Sequence, residues 1–254
     1  MENGQAYRHP RRRRRRRRSL PGRIGMALLV IGVLAVGISV FFRVSQVEIS
    51  GAVRYNREEI MEAAALDYGN HLLLINVGAM ERRLWSNLPY VDSAAIRRRF
   101  PNVVEIVISE SIPLAALATD MGYLILDRQG KVLELAERLP DENLIRLAGF
   151  DVPILPRAGE IVSFGDTGRE SLAYLQDILA QLLERGIAEG MQEIDMTRSD
   201  NPQLVYEGRF TINLGPNRDL PHKMQMLAGI IDSLSDYERG FIDLTLQDPV
   251  FRPE

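Results

Sequence analysis

The side chains with most scope for chemistry in this sequence are three histidines, and their spacing gives them little: His9 sits in an arginine run, His71 beside an apolar stretch and His222 at the start of a helical pattern. So scattered a set does not read as a metal site. There is no cysteine, which excludes thiol catalysis, thiolate ligation and disulfides. No H-E-x-x-H, G-x-S-x-G or glycine-rich phosphate loop occurs, and the only lysines, Lys131 and Lys223, form no S-x-x-K pair. Neighbouring acids such as Glu58-Glu59 and Asp141-Glu142 read as solvated surface charge. The sequence therefore predicts no catalytic residue, no cofactor, no metal and no small-molecule substrate.

Charge beside an apolar run is the stronger signal. Residues 1–23 carry ten arginines (Arg8, Arg11 to Arg18, Arg23) against one acid, Glu2, so the net charge of -3 conceals a remainder with 21 basic and 33 acidic residues, net -12. Ile24 to Phe42 holds no charge and is closed by Arg23 and Arg43. As a helix it is about 28 Å long, close to the ~30 Å hydrocarbon core of a bilayer. A cleaved signal is the alternative, but the small-x-small site Ala35-Val36-Gly37 lies inside the run. The reading is an uncleaved single anchor at 24–42, and the arginine excess before it keeps the N-terminus cytoplasmic, with residues 44–254 outside. The arginine run is expected to meet anionic lipid head groups rather than nucleic acid.

Beyond the anchor the patterns alternate between strand and helix periods, as in an α+β chain. Val44 to Ser50 alternates as a strand; Asn56 with Glu58 and Glu59 starts a helix; Leu72 to Ile75 has strand length; Asn76 caps a helix that Pro89 stops; Tyr90 to Arg98 and Val103 to Ser109 are strands around Phe100-Pro101-Asn102. This is a unit at 44–112, ordered strand-helix-strand-helix-strand-strand. A second unit at 113–254 is predicted to hold a hairpin at 122–135, a loop-rich stretch marked by Pro140, Pro153 and Pro156, and a helix from Thr167 to Arg185. Strands at 193–197, 203–207 and 210–214, a helix from Leu220 to Leu234 capped by Asp219, and a last strand from Phe241 to Leu246 complete it.

Several runs together resemble one family. They are V-x-x-V-x-I-S-G at Val44 to Gly51, L-P-Y-V-D-S-A at Leu88 to Ala94, R-x-F-P-N-x-V-x-I at Arg98 to Ile106 and E-S-I-P-L-A at Glu110 to Ala115. These resemble the POTRA domain of the FtsQ/DivIB bacterial division proteins. Y-L-I-L-D-R-Q-G-K-V at Tyr123 to Val132, I-D-M at Ile194, I-N-L-G at Ile212, K-M-x-x-L at Lys223 and G-F-I-D-L at Gly240 are similar to that family's β domain, more in the DivIB manner than the FtsQ one.

The resemblance implies a non-enzymatic component of the division apparatus at the septum. It would bind FtsB/DivIC-like and FtsL-like membrane proteins and influence septal peptidoglycan synthesis. Its partner site would be the last strand, here Phe241, Ile242, Asp243, Leu244, Thr245 and Leu246, which accepts a partner strand along an exposed edge. Leu246 stands where the FtsQ branch is expected to carry an aromatic. With no segment expected after it, this strand should have an open edge, and proline at Leu244 or Leu246 should abolish pairing. The alternatives are a POTRA-type assembly factor for exported proteins and a membrane-tethered hydrolase.

Overall fold

A computed structural model describes residues 20–164, 168–235, 237–246 and 249–253; the arginine tail at 1–19 and Thr167 lie outside the described residues. Helix α1, Leu20–Phe41, contains the apolar stretch Arg23–Phe41, with mean hydropathy 2.7 and none of it buried against protein. It is long and apolar enough to cross a membrane.

The first unit is a three-stranded sheet with two helices on it. Strand β1 (Gln46–Ser50) runs parallel to β3 (Val103–Glu110), and β3 pairs antiparallel with β2 (Val91–Arg99). Helix α2 (Arg57–Ala64) starts at a complete capping box: the Asn56 side chain accepts from Glu59 N, and the Glu59 carboxylate accepts from Asn56 N. Helix α3 (Val77–Asn87) is capped by the Asn76 side chain, which accepts from Ala79 N. Ile60, Ala64, Met80 and Leu84 of the helices meet Val47, Ile96, Val104 and Ile106 of the sheet in one buried core.

The predicted strand at Leu72 to Ile75 is a turn instead. The residue before it, His71, makes a single bridge to Arg43, Leu72 N donates to Phe42 O, and Leu74 N turns back to His71 O. Leu72 alone is deeply buried there while Leu73 and Leu74 face out, so no alternating face exists to sustain a strand.

The second unit is a nine-stranded mixed sheet in the order β12-β11-β10-β9-β8-β7-β4-β5-β6. Its strands are β4 (Ala115–Thr119), β5 (Gly122–Leu126), β6 (Val132–Ala136), β7 (Ile145–Ala148), β8 (Met191–Asp195), β9 (Gln203–Tyr206), β10 (Phe210–Asn213), β11 (Gly240–Asp243) and β12 (Val250–Pro253). Helix α4 (Gly168–Arg185) links β7 to β8, and α5 (Leu220–Ser233) links β10 to β11. Both linked pairs are parallel, as crossover helices require. Ile178, Leu179 and Leu182 of α4 and Met224 and Leu227 of α5 pack with Leu204, Ile212 and Ile242 in the larger core. Asp219 occupies the N-cap position of α5 in a left-handed conformation, and its side chain makes no capping bond.

The chain's two lysines are both spent on backbone carbonyls. Lys131 Nζ donates to Trp85 O at 2.7 Å and Val91 O at 2.8 Å and lies 4.4 Å from the centre of the Trp85 ring. It thus ties the turn before β6 to the end of α3 and the start of β2. Asp127 holds that turn, accepting from the backbone N–H groups of Gln129 and Lys131 and from the Ser111 hydroxyl. Lys223 Nζ donates to Leu214 O and Pro216 O, and the Tyr174 hydroxyl donates to Gly215 O.

Candidate partner-binding edge

A sheet offers unsatisfied backbone groups only along its two outer strands. At one end the start of β6 is occupied: Lys131 bridges to Ile161, Val132 N donates to Glu160 O, and Gly159 N donates to Val132 O, each bond 2.8 Å. At the other end lies β12, and among the described residues no strand pairs with its outer side.

This corrects the expectation that Phe241 to Leu246 is an uncovered last strand. Strand β11 stops at Asp243 and is sandwiched, with β10 parallel on one side and β12 antiparallel on the other. Four pairs set the covering register: Gly240 with Pro253, Phe241 with Arg252, Ile242 with Phe251, and Asp243 with Val250. Strand β12 left little trace in the sequence because it is four residues long and carries Pro253, and proline is tolerated in an edge strand.

The six predicted residues divide by environment. Ile242 and Leu244 are fully buried in the large core, whereas Phe241 is half-buried on the opposite face, so the expected alternation is present. Across that outer face Val205, Thr211, Phe241 and Arg252 stand opposite one another in register on four strands and border a shallow hollow of about 420 Å³. Leu244 N donates to Asn213 O at 2.9 Å. Its donor therefore points into the sheet, and proline at Leu244 would break an internal bond rather than report on a partner. Asp243 accepts from the hydroxyl and the backbone N–H of Thr245. Those bonds, the hydroxyl first, together with nearby Arg252 hold its carboxyl below the usual aspartate value against the opposing effect of burial. Thr245 and Leu246 lie past the strand, and Leu246 is exposed.

Two features fix β12 in place. Phe251 meets Phe210 edge-on, with ring centres 6.1 Å apart. Gly240 has no side chain where a Cβ would come within 2.2 Å of Arg252 O. The approach to β11 is pinned by Arg209, which pairs with Glu207 and donates to Ser235 O, while its own carbonyl accepts from Gly240 N. Among the described residues no cluster of three or more metal-ligating side chains occurs.

Comparison with known proteins gives two family matches in tandem. Residues 42–111 match the model for the POTRA domain, FtsQ-type, and residues 115–245 match that for the C-terminal part of cell division protein FtsQ/DivIB. Cell division protein DivIB of Clostridium tetani is 22% identical over 210 residues, covering 82% of this chain and 77% of its own. Cell division protein FtsQ of Streptomyces bingchenggensis is 28% identical over 240 residues, covering 91% of this chain and 83% of its own. Among solved structures, the major extracytoplasmic domain of the trans isomer of DivIB from Geobacillus stearothermophilus aligns with 50% of this chain and 99% of that one, at 15% identity and a TM-score of 0.30.

Proposed function

Because the chain belongs to the FtsQ/DivIB family of cell-division proteins, we propose that it works in the division apparatus as a non-catalytic scaffold whose β11–β12 edge receives a strand from an FtsB/DivIC-like partner. An FtsL-like protein joins the same assembly, and through them the scaffold influences septal peptidoglycan synthesis. The protein sits at the septum as a single-pass anchor with its N-terminus cytoplasmic and residues 44–254 outside, and its arginine tail rests on anionic lipid. The reading needs neither nucleic acid nor a small-molecule substrate.

The observation that carries it is the inequality of the two sheet edges. One is occupied at the start of β6 by the segment at 159–162, while β12 at the other end has its outer side unpaired along its whole length among the described residues. Strand addition uses backbone hydrogen bonds for affinity and alternate side chains for selection. Phe241 and Arg252, neighbours in register on the outer face, would meet the side chains of an added strand beside them. Of the six residues Phe241 to Leu246, the first three thus serve the partner mainly as the floor against which β12 is held, and Leu244 to Leu246 lie past that pairing.

Co-purification of the full-length chain with its cognate FtsB/DivIC and FtsL proteins from detergent-solubilised membranes tests this. A chain cut after Leu246, which lacks β12, is expected to lose both partners while the rest of the sheet stays folded. Undiminished capture by that chain would exclude β12, and undiminished capture by a folded chain cut before Gly240 would remove the site from this end of the sheet altogether.

A further inference from the structure

We infer that the end of the first unit nearest α1 is itself a lipid-contacting surface, in which Leu73, Leu74 and Phe100 enter the interfacial layer of the bilayer while Arg43 and Arg98 meet lipid phosphates. The inference rests on reading α1 as the membrane span. No linker separates that helix from the sheet. Phe41 is the last helical residue, and Val44 is already buried in the core of the first unit. Three backbone bonds lock the intervening segment to the turn before α3: Leu72 N to Phe42 O at 2.7 Å, Val44 N to Asn70 O at 2.9 Å and Gly69 N to Val44 O at 2.8 Å. The tip of the β2–β3 hairpin reaches the same level, with the Phe100 ring centre 5.9 Å from that of Phe42.

The apolar stretch Arg23–Phe41 is about as long as the hydrocarbon core is thick, so Phe42 stands at the boundary of that core. Head groups add roughly 5 to 7 Å on each side. Phe100, in ring contact with Phe42, and Leu73 and Leu74, which follow directly on the Leu72 bonded to Phe42 O, fall inside that layer. They are the groups a water-facing surface would not favour: Leu74 is 80% exposed, Phe100 62% and Leu73 43%. Side chains of this kind gain by leaving water. The cations around them are suited to phosphate. Arg43 turns its guanidinium back to Ser39 O, and Arg98 donates to Ile75 O, each with further N–H donors to spare. The opposite end of the sheet supplies a contrast. Val53 is 92% exposed, but its N–H is bound by Glu110 at the far end of β3, about 23 Å from Val103.

The absence of cysteine makes single-site labelling direct. Nitroxide labels are placed on Leu34→Cys, Val53→Cys, Leu74→Cys and Phe100→Cys in the full-length chain, reconstituted in vesicles of phosphatidylcholine and phosphatidylglycerol. Collision with dissolved oxygen and with a water-soluble nickel complex is then compared. Labels at 34, 74 and 100 are expected to collide several-fold more with oxygen than with nickel, and the label at 53 is expected to show the reverse. Leu74 lies outside the core, so its variant carries the test even where the Phe100 variant fails to fold. Nickel access at 74 equal to that at 53, with 34 still protected, overturns the inference and leaves the span standing. Nickel access at 34 as well overturns both.

Discussion

Lys131 shows how much one buried side chain is asked to do. Its ammonium satisfies two backbone carbonyls of the first unit from a turn of the second, under an indole ring. Burial pushes its pKa down to about 8, with Asp127 and Asp92 acting in the opposite sense. Replacement by methionine keeps the apolar stem but leaves both carbonyls without that donor, at a cost of roughly 1–3 kcal/mol for each unmet group. Lys131→Met is therefore expected to lower the thermal midpoint, and Lys131→Arg is expected not to rescue it, because a planar fork cannot occupy the place of a compact ammonium. The pH dependence has a definite sign. Below about pH 8 the lysine is protonated whether folded or not, whereas between about 8 and 10.5 only the unfolded chain holds the proton. Stability of the parent relative to Lys131→Met should thus rise through that window, and a flat difference in denaturant titrations would refute the assignment. None of this was legible in the sequence, since a solitary lysine has no period. The usable signal was compositional: every other basic side chain is arginine, and both exceptions bind carbonyls.

Elements were legible where a cap or a period marked them. Asn56 and Asn76 announced α2 and α3, and the leucine spacing announced α4. Asn56→Ala should cost about 1 kcal/mol in chemical denaturation, in keeping with the loss of an N-cap. Elements without such marks were missed. Strand β7 has four residues in a stretch marked by Pro140 and Pro153, and it is a strand because parallel neighbours β4 and β8 hold it from both sides. Strand β12 depends likewise on β11, and on Gly240 in particular. Gly240→Val would place a side chain against Arg252 O, so it is expected to release β12 while leaving the buried Ile242 and Leu244 in place. Hydrogen exchange would show this as lost protection confined to residues 250–252, and protection unchanged there would mean the strand is held by other contacts.

At the scale of the whole molecule, the two large cores and an exposed apolar helix are the features that composition and hydropathy could reveal. The exact point at which the anchor gives way to the fold lay beyond them, because it is set by pairing between residues 42–44 and 69–72. Phe42 belongs to both sides of that point, packing on the first core and on Phe100. Soluble fragments beginning at 42 and at 44 are both expected to fold, with the longer one melting higher. Equal midpoints would show that Phe42 adds nothing. The same seamless joint gives helix and sheet a common phase. A residue inserted within α1 turns everything after it by about 100° relative to everything before it, and seven inserted residues bring the faces back to within about 20°. The compass bearing of β12 around the membrane normal is thus written in the number of residues in the helix.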